Sequence, residues 1–248
     1  MTSQLSAVLR TELAPTGKVR VGLNFSNFLL VGKDPASGEP RGIAVDLARE
    51  LGQRTGMPVE FVGFDSGGKL ADAAKAGAWD IAFLGAEPAR SGDIDFTVAY
   101  LEIEATYLVP PGSGLRSIAE VDREGVRICV SNKSAYDLFL SRTIKRAELV
   151  RAASIDASFE RFVADELDAL AGLRPRLVAD AEMLPGSRVL AGRFTAIQQA
   201  IGIIKGRGAG AAYLREFVED AKASGLVAKI IERNGARGVI VAAVAPNS

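Results

Sequence analysis

From residue 19 onward, short apolar runs alternate with stretches whose apolar residues recur at helical spacing, and few folds accept that rhythm. Residues 19–23, 59–62 and 79–84 read as strands bounded by glycine, proline or polar clusters. Between them, Ile43, Leu47, Ala48 and Leu51 mark one face of a helix that Gly56 and Pro58 close. A smaller helix is expected over 69–76, and the Gly/Pro-rich run 32–42 reads as a turn or hairpin. The second half repeats the pattern. Strands are expected at 102–109, 126–130, 149–152, 168–173 and 202–204. Ser117 and Glu120 fit a capping box that opens a short helix. Tyr136, Leu140 and Ile144 stripe another helix, 159–164 a third, and Tyr213, Phe217, Val218 and Ala221 a fourth. No 20–50-residue repeat is present. The expected class is α/β with mostly parallel strands.

Composition narrows the function. Hydrophobic residues make up 48% of the 248, enough for one or two cores without disulfide or metal staples. Thirty basic and thirty acidic residues cancel, which argues against the basic face that nucleic acid requires. The chain has no histidine, which removes Ser-His-Asp and Cys-His nucleophile pairs and every histidine metal ligand. Cys129, the single cysteine, lies in the apolar run 126–130 and reads as an inert core thiol. An enzyme built from this chain would work with carboxylates, lysine or tyrosine. No run approaches the ~20 apolar residues of a membrane helix. Residues 1–18 lack the basic and apolar segments of a secretory leader, so a mature form or a cytoplasmic protein is expected.

Four segments, in fixed order, resemble one family. Arg41-Gly42-Ile43-Ala44-Val45-Asp46-Leu47-Ala48 is similar to its glycine, aspartate-leucine and helix run. Ala76-Gly77-Ala78-Trp79-Asp80 looks like its Gly-x-x-Asp turn into a strand. Arg90, Asp95-Phe96-Thr97 and Tyr100 match its arginine–aspartate–aromatic–hydroxyl–tyrosine segment. Gln198-Gln199, Gly202 and Lys205-Gly206 resemble its returning hinge strand. Over about residues 18–233 the chain thus resembles the amino-acid-type solute-binding proteins of bacterial ABC importers, the periplasmic binding proteins of type II.

That resemblance implies a two-lobed clamp, each lobe a mixed, mostly parallel sheet flanked by helices. Lobe 1 would comprise 1–101 plus 200–248. Lobe 2 would comprise 102–199, with the two hinge crossings at its ends and a ligand gripped by both lobes.

The resemblance also nominates ligand contacts. Arg90 would hold a ligand carboxylate, because a guanidinium fork matches it in bidentate geometry; the plainer alternative pairs Arg90 with Glu87 on an exposed helical turn. The loop 131–136 would grip the same carboxylate through Asn132, Ser134, Ala135 or Tyr136, whether or not Ser134 merely caps a helix. Asn24 and Phe28 would supply an amide and an aromatic lid, and Phe64 or Ser66 a second aromatic loop. Gly85 lies in Phe83-Leu84-Gly85-Ala86, where the family's hydroxyl is missing. Gln198 would reach the ligand from the hinge. Where family members that bind free amino acids place an aspartate, this chain has Leu173, or Arg174 after a one-residue slip. An ammonium left there without a carboxylate is costly. Either Glu87, Asp65 or Glu104 replaces that aspartate, or the ligand lacks a free α-amine. Arg174 also reads as a solvated arginine that starts a helix, and Lys69 and Lys75 as solvated surface.

The function expected is therefore a binding protein that captures a small carboxylate-bearing solute for an ABC permease. It would be a periplasmic monomer with no cofactor, no metal, no nucleic acid and no membrane insertion. The alternatives are a cytoplasmic sensor or carrier, and a dehydratase-like enzyme using Glu104 or Glu87 as general acid.

Overall fold

The computed structural model describes residues 6–244. In chain order the elements are α1 (Ala7–Leu13), β1 (Val19–Asn24), β2 (Gly32–Lys33), β3 (Pro40–Arg41), α2 (Ile43–Thr55), β4 (Val59–Phe64) and α3 (Gly67–Asp72). Next come β5 (Ile81–Gly85), β6 (Ile94–Val109), β7 (Arg127–Ser131), α4 (Ala135–Thr143), β8 (Glu148–Ala152), α5 (Ile155–Ala164) and β9 (Ala169–Leu173). The chain ends with α6 (Arg174–Met183), β10 (Arg188–Val189), β11 (Thr195–Ile204), α7 (Gly208–Ala223), α8 (Leu226–Arg233) and β12 (Val239–Val241).

The chain forms two compact units, one of residues up to 102 together with those from 198, the other of 103–197. It passes from the first to the second within β6 and returns within β11. The ends of the expected lobe 1, at 1–5 and 245–248, lie outside the described residues.

In the first unit, β1 pairs in parallel with β4 and β5, and β5 pairs antiparallel with β11. Leu70, Trp79, Ala82, Leu84 and Ile94 form a buried cluster there, and the Trp79 indole donates to the Leu70 carbonyl at 2.8 Å. Each resembling segment has a local physical reason. Gly42 caps α2 at φ 121°, and a Cβ there would come within 2.4 Å of the Leu30 carbonyl oxygen, so only glycine fits. Asp80 is fully buried and accepts from the Arg20 amide, from the Arg20 guanidinium at 3.0 and 2.9 Å, and from Arg207 at 3.1 Å. Thr97 accepts from the Ile201 amide at 3.0 Å, which joins the outgoing strand to the returning one.

In the second unit, β7 lies between β8 and β9 in parallel, and β9 pairs antiparallel with β6. Leu108, Cys129, Phe162, Leu167, Leu170 and Leu177 form its core. Several elements differ from expectation. β6 starts at Ile94 rather than 102 and runs 16 residues; its first half mixes buried and half-buried side chains, with the charged Asp95 and the hydroxyl of Thr97 among them, and so lacks a strand's period-two pattern. α4 ends at Thr143, leaving Ile144 as an extended cap. The capping box of Ser117 and Glu120 forms, but it opens a single 3-10 turn.

Candidate functional site

Parallel α/β sheets present their ligand-binding loops at the carboxyl ends of the strands. In the first unit that edge carries Asn24, opposite Phe64 in register, and Gly85 at the end of β5. A 3-10 turn over Pro88–Arg90 follows and brings the Arg90 side chain back, so that Nη1 donates to the Gly85 carbonyl at 2.6 Å. Arg90 is 7% exposed and Glu87 8%, so the exposed ion pair considered from sequence is overturned: both side chains are buried. Burial pulls the Arg90 pKa down to about 10, opposed by the Glu87 and Asp72 carboxylates, and leaves the guanidinium charged at neutral pH.

Asn24 joins this group. Its Oδ1 accepts from the Ser26 amide at 3.1 Å and the Ser26 hydroxyl at 2.7 Å, which fixes the amide orientation. Gly67, the first residue of α3, lies beside both side chains: a Cβ there would be 3.5 Å from Asn24 Nδ2 and 3.7 Å from Arg90 Nη2. Ser66, buried, caps α3 by accepting from the Lys69 amide at 3.2 Å. Phe64 is half-buried against the Leu70 and Trp79 cluster, which makes it a wall of the core. Phe28 is 52% exposed and lines a separate cavity of about 220 Å³ with Leu29, Arg41, Arg233 and Asn234. Gln198 accepts from the Ala86 amide through its own carbonyl at 2.8 Å, beside the pairing of Gln199 with Gly85.

In the second unit the parallel strands β7 and β9 bring the 131–136 loop and the Leu173-Arg174 step to one sheet edge. Ser134 is the N-cap of α4, accepting from the Asp137 amide at 3.1 Å. Asn132 is exposed, and its amide donates to the Ala152 carbonyl at 2.8 Å. Tyr136 is buried, and burial raises its pKa to about 12 although its hydroxyl hydrogen-bonds with Ser134 and Ser131. Its side chain is thereby committed to the fold, and Ala135 and Tyr136 offer the first backbone amides of α4. Leu173 is buried and provides no side-chain cap for α6.

Arg174 starts α6, as expected, but it is not merely solvated. It donates to Glu104 at 2.8 Å, to the Leu190 carbonyl at 3.4 Å and to the Gly192 carbonyl. Glu104 also faces Arg193 at 3.6 Å, so this acid is held by two arginines. Asp65 forms an exposed pair with Lys69 at 2.7 Å. Of the three acids weighed as substitutes for the missing aspartate, Glu87 is the one buried near Arg90. Cys129 is fully buried, donates to the Ser158 carbonyl at 3.2 Å and has its pKa raised to about 11 by burial. It should therefore react with a thiol reagent only as the protein unfolds; labelling at the free-thiol rate in the native protein would contradict that burial.

Among the described residues, no group of three or more acidic or cysteine side chains is placed to hold a metal, and no helix is long and apolar enough to cross a membrane. Residues 22–236 match the bacterial extracellular solute-binding proteins, family 3. No curated protein matches the chain in sequence. Among solved structures, the cysteine-binding protein of Campylobacter jejuni is similar with a TM-score of 0.78 and 16% identity, covering 96% of this chain and 100% of that one. A mutant of the ArgBP of T. maritima gives 0.75 and 19%, covering 92% and 99%. An ancestral amino-acid-binding protein, described as a precursor of cyclohexadienyl dehydratase, gives 0.74 and 22%, covering 92% and 99%.

Proposed function

We propose that this chain, which belongs to the bacterial extracellular solute-binding proteins, family 3, binds the carboxylate of a small solute through Arg90 and Asn24 and delivers that solute to an ABC permease. The observation that carries this reading is the buried, charged Arg90 set beside the Asn24 amide at the carboxyl edge of the first unit's sheet. A charge is kept in such a place at a cost, and a bidentate carboxylate is the partner its geometry suits. The similar proteins named for cysteine or arginine binding favour an amino acid or a related organic acid as the solute. The family's character favours a location outside the cytoplasmic membrane. Mass spectrometry of small molecules released from gently purified protein tests the reading. A carboxylic acid recovered in stoichiometric amount is expected, and a ligand with no carboxylate would refute it.

We favour binding without turnover. Similarity to a dehydratase precursor raises catalysis as the second reading. Glu104, the more exposed of the two acids considered for that chemistry, is already engaged by Arg174 at 2.8 Å and faces Arg193 at 3.6 Å, which ties it into the fold. Product accumulating from the recovered solute would reverse this preference.

Leu173 bears on the choice of solute. Leu173 stands where the resemblance places an aspartate for the α-ammonium, and Glu104 is already paired. Ordinary α-amino acids are expected to bind more weakly than carboxylates without an ammonium or N-substituted derivatives. A thermal-shift panel checks this. A common amino acid that binds more tightly than about 1 μM, or −8.2 kcal/mol, would show that another acid, with Glu87 the foremost candidate, serves the ammonium.

A further inference from the structure

We infer that the missing side chain of Gly67 is itself part of the binding site: it leaves a notch, flanked by Asn24 Nδ2 and Arg90 Nη2, that receives one oxygen of the solute carboxylate. The inference rests on the functional reading above and names the atoms of that site. Three observations place it. Apart from its chain neighbours and the backbone of α3, a Cβ on Gly67 would meet those two nitrogens within 4 Å, at 3.5 and 3.7 Å, so the direction a side chain would take faces hydrogen-bond donors. The Asn24 amide is oriented, because its Oδ1 already accepts from the Ser26 amide and hydroxyl, which turns Nδ2 toward the notch. The third is backbone conformation: Gly67 has no left-handed φ, so its lack of a side chain is not required by the turn into α3.

At Gly42 glycine answers a steric demand, whereas at Gly32, Gly92, Gly114 and Gly208 φ is not left-handed and a Cβ would meet nothing within 4 Å. At Gly67 the contacts a methyl would make are ordinary van der Waals distances, and helix propensity favours alanine over glycine. What sets Gly67 apart from those open positions is that its Cβ direction faces two side-chain nitrogens on different elements. An acceptor oxygen fits between two N–H donors, whereas a methyl there would desolvate both without satisfying either. Ser26 is then a positioning residue, acting through the Asn24 amide.

The test separates the notch from the fold and from the wider reading. Gly67→Ala, Ser26→Ala and Arg90→Lys are compared with the unmodified protein in urea unfolding and in calorimetry. The probe is the tightest binder from a panel of the twenty common amino acids with lactate, succinate and glutarate. Gly67→Ala is expected to keep or raise stability while affinity falls at least about 10-fold. Ser26→Ala is expected to weaken binding less, and the Asn24 side-chain amide signals should shift on adding the probe to ¹⁵N-labelled unmodified protein but shift less in Ser26→Ala. Unchanged affinity in Gly67→Ala, with affinity lost in Arg90→Lys, overturns the notch alone. Unchanged affinity in Arg90→Lys, or no binder in the panel, overturns the notch together with the reading it rests on.

Discussion

Replacing Arg90 by alanine is expected to weaken solute binding on the order of 30-fold or more, about 2–5 kcal/mol, because the carboxylate loses its main charged partner after leaving water. The same change should also destabilise the protein. Arg90 is 7% exposed, donates to the Gly85 carbonyl and lies within electrostatic reach of the buried Glu87, so alanine removes a buried hydrogen bond and a favourable charge contact. Arg90→Lys keeps a charge in place and should recover most of the stability but only part of the affinity, since an ammonium cannot reproduce the planar fork. The informative quantity is the difference between the two variants in calorimetry and in unfolding. Equal affinity in all three proteins would remove Arg90 from the site.

The largest effect on stability is expected at Asp80. This carboxylate is fully buried and binds the Arg20 backbone and guanidinium together with Arg207, thereby tying β1 to the turn before α7. Burial alone would raise its pKa, but the hydrogen bonds from Arg20 and Arg207 outweigh that and hold it below the ordinary carboxylate range. The sign follows: with a depressed folded-state pKa, Asp80 contributes stability above the unfolded value of about 3.9 and loses it as pH falls through the folded value. Asp80→Asn removes the charge at every pH and leaves two arginines facing a neutral amide. A loss of about 3–5 kcal/mol is expected at pH 7, which lowers the melting temperature by roughly 6–20 °C. The difference between the variant and the unmodified protein should narrow as pH falls below the ordinary carboxylate value and through the depressed folded one. A melting curve at pH 7 that overlays that of the unmodified protein would show that the cluster carries no net stability.

Much of the fold was legible because it is written in local periodicity. The apolar runs around Val21, Phe83 and Cys129 alternate with helical stripes, and Gly42 and Asp80 mark turns whose demands are local or nearly so. What periodicity could not show was long-range. β6 was read eight residues short because Asp95 and Thr97 look like loop residues until Gly206 and Ile201, more than a hundred positions away, donate hydrogen bonds to them. α8 and β12 escaped notice because both are short and close to the end of the chain.

The candidate site was legible by residue type and less by circumstance. Arg90 stands out as a fork for a carboxylate, but the polar run around it, Glu87 to Asp93, reads as surface although Arg90 and Glu87 are buried. Arg174 finds its partner 70 residues upstream, and no spacing rule reveals such a pair. Gly67 gave no signal, since its significance is the absence of atoms beside a guanidinium that the chain supplies 23 positions later. Ser66 was read as a contact residue, and its hydroxyl also caps α3 by accepting from the Lys69 amide.

The central claim is that this protein recognises its solute by a carboxylate, and it can be tested without altering a residue. Calorimetry would compare the tightest-binding carboxylic acid from the panel with its primary amide, which has nearly the same size and shape but no charge. A loss on the order of 30-fold or more, at least about 2 kcal/mol, is predicted for the amide, because the buried Arg90 would then face a neutral group. Equal affinity for the acid and the amide would contradict the account.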